Sequence, residues 1–427
     1  MIVAVSFVAL ILLGMPIGFA IGLAGLAGLA SLGGGEFLAL GPSKIFNGLN
    51  IFPFLAMPFF ILAGDIMNHT GITDQLVKLA RALVGRFRGG LAHSNMVASV
   101  LFAGLTGSAT ADAAAFGRTL VPAMVRNGYR RDYACAVTAA GSIIGPTIPP
   151  SGLMVIYGSL MGVSIGGLFA AGILPGLAVC AVCMLVIALG AARQGLPPAE
   201  HAAAPREILS TFIASVPALM MPVIILGGIL GGVVTPTEAA AIAVAYALFV
   251  GAFLYRRLSW RDLFHILVRT ARITGVIFVI IAFAGILGWW MSFERIPQAV
   301  AASILDFADS RVAVISLIIL LLLAVGMIMD ITAILIILAP ILVPLAEGAG
   351  MEPIHAGIIF ILALNISLMT PPVGACLFVL SSVSGEKIER IARKLLPFLA
   401  AEVAILFLFA FWKDAALLLP RAFGFVQ

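Results

Sequence analysis

TIPPSG at residues 147–152 and TPPVG at residues 370–374 are the two stretches that decide the fold of this 427-residue chain. Each holds two consecutive prolines, which have no backbone N–H and clash with the preceding helical turn, so an α-helix ends where they stand. Each also lies in the middle of a long apolar segment, residues 133–163 and 356–384. The sequence therefore predicts two helices broken at mid-length, at matching places in the two halves of the chain.

The composition indicates what surrounds these helices. Hydrophobic residues make up 62% of the chain and charged residues 10%, whereas a soluble domain carries about 25% charged residues. The apolar runs are continuous over about 20 residues, which is typical of membrane-spanning helices and not of a β-barrel. We therefore predict an all-α polytopic membrane protein in contact with the lipid bilayer. Its net charge of +5 reports membrane topology and not a nucleic-acid partner.

Nine apolar stretches are predicted to cross the bilayer, and two more are predicted to be re-entrant hairpins. The hairpins, residues 93–127 and 312–347, are each long enough for two half-membrane helices joined by a turn. The first is interrupted by LTGSATAD at residues 105–112, and the second holds Asp330 near its middle. The nine predicted spans are 1–32, 45–68, 133–163, 167–192, 208–232, 236–256, 273–293, 356–384 and 395–412.

The order of these segments repeats along the chain. We predict a first repeat at residues 1–207, a connecting span at 208–232 and a second repeat at 233–427. Each repeat contains a span, an amphipathic segment (72–87 or 296–308), a hairpin, a broken span and a final span. Five crossings separate equivalent elements, so the second repeat is inverted relative to the first, as in many secondary transporters. The amphipathic segments are expected to lie in the membrane interface as arms of a scaffold, or to be ordinary surface helices.

Basic residues predict the orientation of this layout. Eighteen of the 24 Lys and Arg residues lie in or beside the segments on the side of the N-terminus, and five lie on the other side. Lys and Arg are enriched in cytoplasmic loops. The N-terminus and the opening of hairpin 93–127 are therefore predicted to be cytoplasmic, and the C-terminus and the opening of hairpin 312–347 to be periplasmic.

Each broken helix is predicted to form a cation site with one hairpin tip. A break frees backbone carbonyls that lipid cannot satisfy, and each hairpin holds an acid, Asp112 or Asp330. A hard cation such as Na+ favours carbonyl, hydroxyl and carboxylate oxygens. The hydroxyl ligands of two matching sites would come from Ser108, Thr110, Thr147 and Thr370. Alternatively, the prolines only bend the spans, and the aspartates cap helices or pair with Arg118.

Apart from Arg126 at its cytoplasmic end, Arg118 is the only Lys or Arg inside a predicted hairpin. An arginine within the membrane is costly and is a candidate functional residue for that reason. It would bind an anionic substrate, neutralise Asp112 or extend to the membrane interface. The sequence leaves these three roles open.

Several longer stretches carry a family resemblance. They are LTGSATADAAAFGRTLVPAM (105–124), GSIIGPTIPPSGLMVIYG (141–158), GGVVTPTEAAAIAVAYAL (231–248), and GMIMDITAILIILAPILVP (326–344) with TPPVG. Together they resemble the large, DctM-like membrane subunit of tripartite ATP-independent periplasmic (TRAP) transporters. The resemblance runs from the first residues to about residue 412, and the paired proline motifs with TPTEAA make it specific.

This resemblance implies Na+-driven import of a small organic acid, a carboxylate, across the bacterial inner membrane. It implies two protein partners, a DctQ-like small membrane subunit with four helices and a DctP-like periplasmic substrate-binding protein. Because the chain starts directly in the large subunit, the small subunit is expected to be a separate chain. Na+ is the expected coupling ion, with no other cofactor or metal and no enzymatic reaction. The implied mechanism is an elevator, in which hairpins and broken helices slide as a unit past a scaffold.

The resemblance also places the sites at the hairpin tips and the proline breaks. The expected Na+ ligands are Ser108, Thr110, Asp112, Gly145, Thr147, Gly326, Asp330, Met369 and Thr370. The expected substrate ligands are Arg118, Pro149, Pro150, Ser151, Pro371 and Pro372.

Other functional classes fit the sequence less well. The chain has no phosphate-binding GxxxxGK followed by Ser or Thr, which argues against an ATP-driven transporter. An intramembrane aspartyl protease would use two acids, but the surroundings of Asp112 and Asp330 lack its motifs. A channel can also contain re-entrant hairpins and differs from a carrier in its kinetics. A proton-coupled carrier of the same fold is the closest alternative, because an aspartate can also bind a proton.

Overall fold

The computed structural model describes residues 2–33, 35–198, 203–307 and 310–426. These residues form α-helices joined by short turns, and no β-strand occurs among them. In chain order the helices are α1 Ile2–Leu12, α2 Ile17–Ser31, α3 Gly35–Leu38, α4 Gly41–Leu49, α5 Ala56–His69, α6 Ile72–Val84, α7 Gly90–Phe102, α8 Ala109–Arg126, α9 Arg131–Ser142, α10 Ile144–Thr147, α11 Gly152–Met161, α12 Ile165–Gly190, α13 Pro205–Leu230, α14 Pro236–Phe249, α15 Trp260–Phe293, α16 Ile296–Phe307, α17 Arg311–Gly326, α18 Ile331–Gly348, α19 Pro353–Ser367, α20 Ala375–Ser384, α21 Ile388–Phe411 and α22 Lys413–Ala422.

Several helices have the length and apolar character of membrane spans. Within the described ranges six helices are long and apolar enough to cross a bilayer, or eight if each of two bent helix pairs is counted as one span. The six are α12, α13, α14 with the turn that follows it, α15, α18 and α21. The predicted class, an all-α polytopic membrane protein, is confirmed.

Both proline pairs break a helix. The segment α9–α10 ends at Thr147, and α11 continues from Gly152 after a bend of 43°. In the second half α19 ends at Ser367, and α20 starts at Ala375. Both Pro–Pro peptide bonds, Pro149–Pro150 and Pro371–Pro372, are cis.

Each predicted hairpin consists of two helices joined by a short turn. Helices α7 and α8 are separated by residues 103–108, and α17 and α18 by residues 327–330. Gly104 and Gly107 in the first turn have φ angles of +82° and +59°, a region that glycine enters at little cost. The two segments predicted to be amphipathic are helical as α6 and α16, and residue 308 lies outside the described residues.

The two halves exchange contacts in matching pairs. Helix α20, the second part of one broken helix, packs on α8 of the other half, and α11 packs on α18 in the same way. Helices α12 and α21 pack on each other. We call α7–α12 with α17–α22 the hairpin unit, and α2, α4–α6 and α13–α15 the scaffold.

Two predicted spans at the start of the chain are wrong in detail. The predicted span 1–32 is two helices, α1 and α2. The chain folds back at Gly14, which brings Val3 of α1 against Gly28 of α2. The predicted span 45–68 is bent by 62° between Leu49 and Phe52. Pro16 stands directly before α2, and Pro53 lies in the turn that leads into α5. Proline interrupts a helix at such positions.

Two later boundaries also differ from prediction. Helix α15 begins at Trp260 and not near residue 273, because Ser259 and Asp262 form a capping box at its start. Arg261, Arg269 and Arg272 therefore lie on a helix and not in a loop. The last residues form α22, which packs on α12 and α19.

Glycines allow the scaffold helices to approach closely. A Cβ atom on Gly285 of α15 would lie 2.6 Å from the carbonyl oxygen of Lys44 in α4. On the same helix, a Cβ on Gly288 would meet no atom within 4 Å. The α4–α15 contact therefore requires glycine at one position and not at the other.

This difference can be tested with Gly285→Ala and Gly288→Ala. Both substitutions gain about 1 kcal/mol in helix propensity, but Gly285→Ala also overpacks the helix contact, at a cost of about 1–3 kcal/mol. In a denaturant titration in detergent, Gly285→Ala should be the less stable variant by that amount. Equal stability of the two variants would contradict the close contact.

Candidate functional site

A cavity of about 1190 Å³ lies between the hairpin unit and the scaffold. Both hairpin tips and both helix breaks contribute to its wall, and α2, α5 and α15 close it on the scaffold side. Its volume is sufficient for a small organic molecule. The lining includes residues 104–111 and 326–332 from the tips, 150 and 152–153 from the first break, 373–375 from the second, and 16–19, 60–61, 65 and 272–273 from the scaffold.

Asp112 lies directly behind the first hairpin tip and is completely buried. Its position in the first turn of α8 places the carboxylate near the positive end of that helix. The hydroxyl group of Thr106 donates a hydrogen bond to Oδ1. Oδ2 has no hydrogen-bond partner among the described residues. A Cβ atom on Gly145 would overlap Oδ2, so only glycine at this position leaves room for the carboxylate.

Further buried oxygens surround the first helix break. The Asn365 side chain, from the second half of the chain, donates to Thr147 Oγ1 at 3.1 Å, and Thr147 donates to the Ile143 carbonyl at 2.7 Å. Asn365 Oδ1 and Ser151 Oγ are buried and have no partner in the described part of the chain. Buried polar atoms are nearly always satisfied. Together with Asp112 Oδ2, these oxygen atoms are suitable ligands for a cation.

The second hairpin acid has a different environment. Asp330 is exposed in the cavity wall and caps α18, with Oδ1 accepting from the backbone N–H groups of Thr332 at 2.9 Å and Ala333 at 3.2 Å. When the two proline pairs are aligned, Asp330 falls opposite Ser108, and Asp112 falls opposite Ile334. The two aspartates are therefore not equivalent, contrary to the predicted matching pair, and the helix-cap alternative describes the position of Asp330.

Other expected Na+ ligands lie at the same junctions of tip and break. Ser108 and Thr110, at the start of α8, line the cavity with their hydroxyl oxygens 3.1 Å apart. Gly326 at the end of α17 packs against Ser367, just before the second break. Within that break Met369 and Thr370 are buried, and the Thr370 hydroxyl donates to the Ile366 carbonyl at 2.8 Å.

The expected substrate ligands are only partly brought together. Pro150 lines the cavity, whereas Pro149 and Ser151 are buried beside it. Pro371 and Pro372 belong to the second break but do not line the cavity. Arg118 is exposed on α8 away from the cavity, and no ion pair in the described residues joins it to Asp112. The structure therefore separates Arg118 from the other candidates.

Four polar residues of the site were not predicted. Thr106 is in the polar run 105–112, but a hydrogen bond from its hydroxyl to Asp112 requires the turn geometry. Asn365 is a single amide in an apolar span, which is itself a signal of function in a membrane helix. Asp65 and Arg272 line the cavity, although Asp65 is near the end of the predicted span 45–68 and Arg272 directly precedes the predicted span 273–293.

Comparison with known proteins gives consistent matches over nearly the whole chain. The family model described as tripartite ATP-independent periplasmic transporter, DctM component, matches residues 4–414. The chain is 38% identical over 421 residues to the sialic acid TRAP transporter large permease protein SiaM of Vibrio cholerae, covering 98% of this chain and 97% of that protein. It is also 38% identical over 408 residues to the 2,3-diketo-L-gulonate TRAP transporter large permease protein YiaN of Escherichia coli, covering 96% of each.

A solved structure shares the fold. The YdaH transporter of Alcanivorax borkumensis superposes with a TM-score of 0.60 and covers 97% of this chain and 98% of its own. The sequence identity is 16%, so this likeness concerns the fold alone. It confirms the predicted transporter architecture.

The Thr106 hydrogen bond can be tested by substitution. Thr106→Val keeps the side-chain shape but removes the donor to a buried carboxylate, which should cost about 1.5–3 kcal/mol of unfolding free energy. Thr110→Val is the matched control, because its hydroxyl contacts only that of Ser108. Denaturant titration in detergent should show a clear loss for the first variant and a small one for the second. The same stability in both variants would contradict the role of Thr106.

Proposed function

This chain belongs to the DctM component family of tripartite ATP-independent periplasmic (TRAP) transporters, and from that premise we propose that a Na+ gradient drives its import of a small organic acid. As a member of that family it is a large permease subunit, which is a membrane protein that takes part in substrate uptake. It is not an enzyme. The coupling ion, the class of cargo and the orientation in the membrane are the proposed parts.

The observation that carries Na+ coupling is the free oxygen of Asp112. A buried carboxylate without a compensating partner is costly, and Oδ2 has none among the described residues. Na+ would be coordinated by Oδ2 together with neighbouring carbonyl, amide and hydroxyl oxygens at the first break. Protonation of Oδ2 would also remove this cost, and it is the basis of the proton-coupled alternative. Asn365 Oδ1 and Ser151 Oγ are further buried oxygens without partners among the described residues at the first break, and because oxygens of this kind are ligands of a hard cation we propose Na+.

A second cation is proposed at the other tip. Asp330 Oδ1 is engaged by two backbone N–H groups, but its carboxylate remains accessible from the cavity. We assign the carbonyls of the second break and the Thr370 hydroxyl to this cation as further oxygen ligands. This site is more open than the first.

The proposed cargo is a small carboxylate that binds between the two tips. Two relatives are named for sialic acid and 2,3-diketo-L-gulonate, and both are organic acids that carry a carboxylate at neutral pH. We place the cargo against Pro150 and the polar tips, with Ser151, Pro149, Pro371 and Pro372 shaping the breaks behind them. The position of Arg118 outside the cavity weakens the proposal that it contacts the cargo.

The proposed motion is an elevator movement of the hairpin unit past the scaffold. The cavity lies at the boundary between the two, and the first tip touches the scaffold closely. A Cβ atom on Gly64 of α5 would overlap the carbonyl oxygen of Leu105. A contact of this kind would be broken and reformed as the unit moves.

Two protein partners are proposed for this chain. The family description is tripartite, and relatives are called large permease proteins, which supports a small DctQ-like membrane subunit and a DctP-like periplasmic binding protein. The excess of basic residues on one side supports a cytoplasmic N-terminus and a periplasmic C-terminus in the bacterial inner membrane.

Thermal stability in Na+ tests the proposed coupling without knowledge of the cargo. A ligand that binds only the folded state stabilises it by RT ln(1 + [L]/Kd). The melting temperature of the purified subunit should rise with Na+ and saturate, relative to K+ at equal ionic strength. Asp112→Asn and Asp330→Asn should each reduce that rise, whereas Asp414→Asn, at a surface ion pair with Arg421, should not.

The result also separates the proposed ion from the alternative. Identical melting curves in Na+ and K+ would contradict Na+ coupling. A rise with proton concentration that depends on Asp112 would then favour the proton-coupled carrier.

A further inference from the structure

The scaffold side of the cavity carries positive charge that the transport proposal does not use. Within the described residues, four charged side chains line the cavity: Asp65, Arg269, Arg272 and Asp330. Asp330 belongs to a hairpin tip, and the other three belong to scaffold helices α5 and α15. Both arginines are exposed.

The arginines lie on the cavity-facing side of α15. Arg269, Arg272, Ile273, Val276 and Ile280 line the cavity at intervals of three and four, which is the spacing of one helix face. Gly275, Ile277 and Val279, further along the helix, widen this lining beyond one face. With a rise of about 1.5 Å per residue, Arg272 stands about 6 Å along the axis from Val276. Apart from its two arginines, this face presents mainly apolar side chains to the cavity.

Asp65 compensates only one of the two arginines. Arg269 Nε lies 3.7 Å from Asp65 Oδ2, which is close enough for charge pairing but too long for a good hydrogen bond. No ion pair is found for Arg272 in the part of the chain that the structure describes. Arg272 is therefore the uncompensated cation of the scaffold wall.

We propose that Arg272 selects for anionic cargo by giving the scaffold wall of the cavity a positive potential. This inference rests on the proposed transport function and adds a residue that determines the sign of the cargo. A guanidinium group stays charged at all relevant pH values and binds carboxylates with paired N–H donors. A carboxylate that approaches along α15 is attracted to Arg272, and a cation is repelled.

Because Arg272 lies on the scaffold, it attracts the carboxylate in only one part of the proposed movement. Na+ and the carboxylate would be carried by the hairpin unit, whereas Arg272 is fixed to α15. The carboxylate therefore meets Arg272 only when the cavity lies beside this part of the scaffold. Arg272 would act there as a transfer point between the tips and the aqueous side on which α15 begins.

The potential can be measured without an identified cargo. Val276→Cys introduces a thiol on the same wall, one turn from Arg272, and all four native cysteines are buried. The full-length protein is treated with an anionic reagent, 2-sulfonatoethyl methanethiosulfonate, and with its cationic trimethylammonium analogue. The ratio of the anionic to the cationic labelling rate reports the local potential, and protein without Val276→Cys gives the background.

Arg272→Gln in the Val276→Cys background should lower this ratio by about three- to tenfold, as expected for one charge at about 6 Å in a partly aqueous, screened site. Arg272→Lys should preserve the ratio. Asp65→Asn should raise it, because Arg269 loses its partner. The matched control is Arg261→Gln, an exposed arginine on the same helix that does not line the cavity, and it should leave the ratio unchanged.

Three results would overturn the inference: an unchanged ratio in Arg272→Gln, an equal fall in Arg261→Gln, or no labelling of Val276→Cys by either reagent. If Arg272→Gln does not fold, the opposite shift expected in Asp65→Asn and the preserved ratio in Arg272→Lys still decide the question. The Na+ melting series on the same proteins separates this test from the proposed function. A Na+ response with an unchanged ratio rejects the role of Arg272 alone, and a missing Na+ response in the parent protein rejects Na+ coupling.

Discussion

Lipid offers no hydrogen bonds, so a helix that breaks inside a membrane must have its backbone groups satisfied by protein, water or an ion. This constraint organises the molecule. Each broken helix is enclosed by a hairpin of its own half and by packing on the hairpin of the other half, α20 on α8 and α11 on α18. Asn365 adds a direct hydrogen bond between the halves at Thr147. The enclosed breaks form the wall of the cavity, so the site follows from the way the fold protects them.

The acids of the two hairpin tips have chemically different environments. At the first tip the acid lies within α8, completely buried and with one free oxygen, whereas at the second tip it caps α18 and faces the cavity. A buried carboxylate depends on a bound cation more than an exposed one does. The first site is therefore expected to respond to Na+ more strongly. The arginines of α15 add a third, positive element on the scaffold, on the opposite wall of the same cavity.

Much of the fold could be predicted from sequence, because tandem prolines and continuous apolar runs act locally. The early start of α15 was missed although Ser259 and Asp262 form a capping box, because the apolar run begins later in the helix. The fold-back at Gly14 and the packing of α22 depend on tertiary contacts. The acids and hydroxyls at the tips and breaks were predicted from the residues themselves, whereas Gly145, Gly326, Met369 and the substrate ligands at the prolines came from the family resemblance. Three features depend on side-chain geometry that no local sequence pattern predicts. They are the hydrogen bond from Thr106 to Asp112, the hydrogen bond from Asn365 to Thr147, and the different environments of Asp112 and Asp330.

The central claim is that Asp112, behind the first tip, binds the coupling ion. Equilibrium binding of radioactive Na+ to the purified, full-length protein tests this claim most directly, with Asp112→Asn as the comparison. The account predicts saturable binding that K+ does not displace and that is strongly reduced in Asp112→Asn, while the variant remains folded. Saturable binding of equal affinity and amount in Asp112→Asn would contradict it, as would the absence of saturable binding in the unmodified protein.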